Sequence, residues 1–237
     1  MINIIKEGST GEDVKRIGES FGFKNKLVCD KELVWCIKVF QKSVGIEPDG
    51  IFGFESWKRL YEKTKKGNQE ITKQDYIEFG KLLDCEPEIL EAIVKTETNG
   101  IGITESGDPT LDFNGEKFKQ IYPNSQCNNF EEASKISLND AIKSSSWGIM
   151  LIPGDKFELC SVKTIEDFIV KIKGGNFNQL SLGISYLKNS GICKYLRTLD
   201  IKKISFALNG PNFIRNLYDI RLKRHYYSIK RANYPKK

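Results

Sequence analysis

The segment Pro87-Glu-Ile-Leu-Glu-Ala-Ile-Val-Lys-Thr-Glu97 carries the helical period that constrains this chain most. Ile89, Leu90, Ile93 and Val94 recur at spacings that share one helix face, while Glu88, Glu91 and Lys95 fall on the other. Pro87 suits a first helical position, and Asn99-Gly100 is a helix stop. Glu97 therefore ends an amphipathic helix on its apolar side. A carboxylate against apolar walls loses solvation of its charged form, so its pKa rises. An acid still protonated near neutral pH can deliver a proton to a leaving oxygen. The competing reading is a helix-terminal glutamate that turns out to water.

Other periodic segments divide the chain of 237 residues into two modules, both mainly α-helical. In the first, helices are expected over Gly11 to Phe23 (Val14, Ile17 and Phe21 on one face), Asp30 to Val44 (Leu33, Ile37, Phe40) and Ser56 to Lys63. The turn signal Pro48-Asp49-Gly50 separates the last two. A polar run, Thr64 to Glu70, reads as a linker. Beyond it, Thr72 with Asp75 opens a helix to Leu83, followed by the Glu97 helix. Gly100 to Pro123 has no helical period and reads as a loop or small hairpin. Helices resume at Phe130 to Lys143, from Thr164 to Gly174-Gly175, at Asn178 to Lys188, Asp200 to Leu208 and Asn212 to Ile229. The expected division is 1–63, a linker over 64–71, and 72–237.

Composition excludes several chemistries. The six cysteines form no CxxC pair, which argues against zinc ribbons and redox motifs and favours free thiols. His225 is the only histidine, so multi-histidine zinc hydrolases and a Ser-His-Asp triad are disfavoured; no metal or cofactor is expected. Hydrolytic chemistry must then run on carboxylates. No apolar stretch approaches the roughly 18 residues of a membrane span, and mean hydropathy is −0.40. The N-terminus acquires charge too early for a secretory signal, giving an expectation of synthesis in the cytoplasm. Net charge is +6, and Arg221 to Lys237 holds seven basic residues and no acid. Such a tail suits either an anionic partner or a solvated helix end.

Lys6-Glu-Gly-Ser-Thr-Gly-Glu-Asp-Val-Lys-Arg16, Val39-Phe-Gln41, Pro48-Asp-Gly-Ile-Phe-Gly53 and Trp57, in that order, resemble the three-helix peptidoglycan-binding domain of cell-wall hydrolases. Thr72 to Ser228 resembles the N-acetylmuramidase domain of bacteriophage endolysins, on four stretches. Glu97-Thr-Asn-Gly100 matches the place of that family's catalytic Glu. Asp112-Phe-Asn-Gly-Glu-Lys-Phe118 matches a Phe-Glu-Xaa-His-Xaa-Phe motif, Ser144-Ser-Ser-Trp-Gly-Ile-Met150 a Ser-Ala-Ser-Trp-Gly-Leu-Phe motif, and Ala207-Leu-Asn-Gly-Pro211 with Tyr218 a Tyr-Asn-Gly-Pro motif with its trailing Tyr. The chain departs where the family has Glu and His, carrying Asn114 and Glu116, and carries Leu208 in place of a Tyr.

The resemblance implies a lysozyme-like helical fold and a cell-wall glycosidase, with Glu97 as acid and Glu116 or Asp112 as second carboxylate. It implies Asn114, Trp147, Asn209 and Tyr218 as substrate contacts, each of which can equally be structural. The expected reaction is hydrolysis of the β-1,4 bond between N-acetylmuramic acid and N-acetylglucosamine. A lytic transglycosylase, which needs one acid, and a wall-binding protein with a decayed site remain alternatives; a cysteine amidase using His225 is disfavoured for want of a suitable motif. The expected partner is peptidoglycan, with the basic tail touching anionic envelope polymers, no nucleic acid, no stable membrane insertion and a monomeric chain. Synthesis in the host cytoplasm followed by release to the wall completes the picture.

Overall fold

The computed structural model describes residues 3–64 and 70–233. The chain divides into two compact units, Met1–Lys66 and Gly67–Lys237. Most of the expected linker, and Lys236 and Lys237 of the basic tail, lie outside the described residues.

In the first unit, α1 (Glu12–Ser20), α2 (Lys31–Ser43) and α3 (Phe54–Thr64) surround Val14, Ile17, Leu33, Ile37, Phe40, Phe52 and Trp57. Asp30 caps α2 by accepting from Leu33 N at 3.0 Å. Phe52 stacks on Phe40 and meets Trp57 edge-on, with centroids 5.7 and 5.0 Å away. Buried Gln41 fixes the turn before α3. Its Nε2 donates to Asp49 Oδ1 at 2.8 Å and Ile51 O at 3.0 Å, and its Oε1 accepts from Gly50 N at 2.9 Å. Asp49 is thus engaged within its own turn, where it also accepts from Ile51 N.

The second unit is mainly helical. Thr72 and Asp75 form a reciprocal cap on α4 (Lys73–Leu83). It is followed by α5 (Pro87–Thr98), which has Pro at its first turn and ends on Asn99 in the left-handed conformation. Next come strand β1 (Leu111–Phe113), α6 (Gly115–Ile121), α7 (Phe130–Ile136), α8 (Leu138–Lys143), β2 (Ser145–Trp147) and β3 (Ile152–Pro153). A 3₁₀ segment, Gly154–Cys160, leads to α9 (Ile165–Lys173), α10 (Asn176–Asn189), α11 (Cys193–Arg197) and α12 (Ile201–Asn209). A 3₁₀ turn, Gly210–Phe213, precedes α13 (Tyr218–Asn233).

The densest packing joins α5 and α13. Tyr218, Leu222, Tyr226 and Ile229 recur at helical spacing on α13 and are all buried. The pair runs antiparallel. Tyr218, at the start of α13, bonds Glu97 at the end of α5, while Tyr226 and Lys230 both bond Glu86, the residue preceding α5.

Several expectations are corrected. Gly100 to Pro123 contains a helix, α6, initiated by the Asn114 cap rather than by an apolar period. The insert holds a small local turn closed by an antiparallel bridge between Ile103 and Pro109, while β1 pairs antiparallel with β2, over thirty residues later, and β2 with β3. The helix expected over Phe130 to Lys143 breaks at Ser137, whose hydroxyl caps α8. The last helix begins at Tyr218, after a turn, and not at Asn212. Glu88, expected on the solvent side of α5, is buried and accepts from Asn233 Nδ2 at 3.3 Å.

Candidate active site

Glu97 occupies the last turn of α5 with most of its helix face sunk in the core: Ile89, Leu90, Ile93 and Val94 are buried behind it. The Tyr218 hydroxyl donates to Glu97 Oε1 at 2.5 Å. Burial pushes the Glu97 carboxyl up to about 7, against the lowering effects of the Tyr218 hydrogen bond and the Arg221 charge. Asp112 adds a raising contribution by like-charge repulsion. Burial and the adjacent Glu97 charge together hold the Tyr218 phenol well above its ordinary range, so it remains a donor. Arg221 lies one turn along α13, 5.7 Å from the Tyr218 ring centroid, and donates to Thr96 O at 3.4 Å. This combination yields a carboxyl that is half protonated near neutrality and held in one orientation, as general acid catalysis requires.

The sequence-derived residues divide unevenly around this centre. Glu97 and Tyr218 come together, and the charge of Asp112 reaches Glu97. Tyr218 is fully buried, and its hydroxyl donates to Glu97. Glu116 is exposed in the first turn of α6, where a negative charge suits the helix dipole, and it is not among the groups that act on Glu97. Asn114 Oδ1 accepts from Lys117 N at 2.9 Å, so its carbonyl serves the α6 cap. Asn209 Oδ1 accepts from Asn216 Nδ2 at 3.0 Å and braces the loop leading to Tyr218.

Trp147 is buried, donates from Nε1 to Ile142 O at 3.0 Å, and meets Phe130 edge-on at 5.2 Å. Strand alternation explains this. Asp112 and Ser146 are one register pair and Leu111 and Trp147 the next, so the two pairs face opposite sides of the sheet. Asp112 and Trp147 therefore stand on opposite faces.

Three contributors carried no sequence signal of their own. Arg221 was one cation among many. Tyr186, on α10, has its phenol raised by burial first, then by Cys160, Asp155 and Glu97, which brings it within electrostatic reach of the acid. Thr98 Oγ1 donates to Ile149 O at 2.9 Å, fixing the end of α5 against the segment after β2. Among the described residues no group of three or more His, Cys, Asp or Glu is arranged to hold a metal ion, the cysteines are free thiols, and no helix is long and apolar enough to cross a membrane.

Residues 122–230 match the N-acetylmuramidase family model. The crystal structure of the Burkholderia AP3 phage endolysin superposes with a TM-score of 0.61 at 20% identity, covering 98% of this chain and 100% of that one. No curated protein matches the chain. The chain therefore shares the mainly α, lysozyme-like fold of that endolysin. Within the second unit, residues 122–230 are thus similar to N-acetylmuramidases.

Proposed function

We propose that the protein is a phage endolysin that cleaves the β-1,4 bond between N-acetylmuramic acid and N-acetylglucosamine, with Glu97 as general acid. One observation carries this reading: a partly buried carboxyl pushed up to about 7 and oriented by a buried tyrosine. Glu97 protonates the bridging oxygen as the glycosidic bond breaks. The ring then carries oxocarbenium character, which a second carboxylate stabilises, captures or answers by activating water. Asp112 is assigned ahead of Glu116, supported by the rise its charge gives the Glu97 pKa. Asn114 and Asn209, through their amide nitrogens, are assigned to substrate.

The first unit is assigned to wall binding. A groove bordered by Phe21, Val39 and Lys63 has Trp35 on its wall, 65% exposed, and this is the flat apolar surface a saccharide or short peptide packs against. The chain is expected to be made in the host cytoplasm and to meet the wall after release.

A single buried acid also supports the lytic transglycosylase alternative, in which the muramic acid 6-hydroxyl replaces water. Mass spectrometry of digested sacculi tests both readings. Hydrolysis adds one water per cut and leaves a reducing end, whereas transglycosylation leaves an anhydro sugar. Full activity of Glu97→Gln would remove the assignment altogether.

A further inference from the structure

The sheet has two faces, and the candidate active site uses one. On the other, Leu111 and Trp147 form the floor of a separate groove of about 380 Å³. That volume lies within the range of small-ligand sites. Phe130, Leu138 and Ile169 line it further, so its interior is mostly apolar. Its lining also includes charges of both signs, Asp108, Glu131 and Lys173, all exposed. Among the described residues none of the three has an ion-pair partner; the Asp108 carboxylate accepts from Ser106 Oγ at 2.9 Å.

We propose that this groove binds the peptide stem of peptidoglycan, an inference that rests on the substrate reading above. A neutral sugar gives no reason for unpaired charges of opposite sign. A polyanion or an anionic membrane would call for basic residues alone. A short peptide of alanine methyls, carboxylates and a diamino-acid ammonium answers each part of the lining: methyls against Leu111 and Trp147, carboxylate toward Lys173, ammonium toward Asp108 and Glu131. β1 is the outer strand of the sheet, and a five-residue stem, extended at about 3.3 Å per residue, reaches roughly 16 Å.

The test is isothermal titration calorimetry of the full-length protein with the free tetrapeptide L-Ala-γ-D-Glu-meso-diaminopimelyl-D-Ala. Saturable binding is expected, weakened at least tenfold in the double variant Glu131→Gln/Lys173→Gln and unchanged in Glu97→Gln. Leu138→Asp, at a wall position 55% exposed, is expected to weaken it likewise and serves if the double variant melts early. Absence of saturable binding to the native protein, or equal affinity in the folded variants, overturns the proposal. Reducing-sugar release from intact sacculi is read in parallel. Normal release without tetrapeptide binding removes the groove assignment and leaves the hydrolase reading standing. Tetrapeptide binding without release by the native protein supports the groove and removes that reading.

Discussion

The hydroxyl of Tyr218 donates a 2.5 Å hydrogen bond to Oε1 of Glu97, across 121 positions of sequence. It ties the end of α5 to the beginning of α13, and it favours the ionised carboxylate while burial favours the acid. The balance of these two effects sets the pH range over which Glu97 holds a proton to give.

Tyr218→Phe removes the effect that favours ionisation, so the Glu97 pKa rises above about 7. A general acid is lost as pH climbs through its pKa. The alkaline limb of the pH–rate profile is expected to move upward by about one unit, with the acid limb unchanged. Turbidity clearing of sacculi across pH 5 to 9 measures it. A limb that stays put, or moves down, contradicts the relationship.

Arg221→Gln should act in the same direction but more weakly, because the Arg221 charge is the smaller of the two lowering influences. Arg221 is exposed, so salt screens it. The upward shift of the limb relative to the native protein is expected at low ionic strength and to shrink as salt is added. A shift indifferent to salt would show that Arg221 acts by packing.

Glu97→Gln keeps shape and hydrogen-bond acceptance while losing the transferable proton. Activity should fall by about 10²–10⁴-fold. Stability should move the opposite way. In the unfolded chain Glu97 ionises near 4.5, in the folded chain near 7, so the folded state holds the extra proton between those values. Native stability therefore drops as pH rises through that window, and the variant escapes the loss, gaining roughly 1–3 kcal/mol at pH 7 and above. Urea unfolding of both proteins at pH 4 and pH 8 reads the difference. A gap that fails to widen with pH argues against a strained carboxyl.

The helix that carries Glu97 was legible because its apolar period, its Pro87 start and its Asn99-Gly100 stop all agree over eleven residues. Its partner Tyr218 was visible only as a motif residue, since nothing local says which of two distant helix ends will meet. Trp147 shows the limit more sharply. A strand of three residues has no period long enough to reveal its buried face, and that face is decided by register with β1. The short α6 escaped for a related reason, because seven residues held by the Asn114 cap leave too small an apolar pattern. Residues that act through a neighbour rather than by their own chemistry, such as Thr98 and Arg221, become readable only once the chain is folded around them.

Gln179 is the clearest instance of that class and carries the last prediction. It is fully buried on α10. Its Oε1 accepts from Ile149 N at 2.8 Å, and its Nε2 donates to Gly102 O at 3.0 Å and Ile172 O at 2.9 Å. One amide thus joins the loop after α5, the segment after β2 and the end of α9. The approach is so close that a Cβ on Gly102 would fall 2.1 Å from Gln179 Oε1, and Gly148, at φ +72°, faces the same side chain. Gln179→Leu has nearly the right volume but takes the partner from Ile149 N and a donor from Ile172 O and Gly102 O, of which Gly102 O keeps Thr110 N, and this should cost about 3 kcal/mol once non-additivity is allowed for. Ile149 also receives the Thr98 hydroxyl, next in sequence to Glu97, so the slackened segment transmits to the acid. The variant should therefore lose kcat as well as stability, even below its unfolding temperature, while sacculus binding through the first unit persists. A stability within about 1 kcal/mol of the native protein, by urea unfolding, would show that water replaces the amide and that the three segments hold together without it.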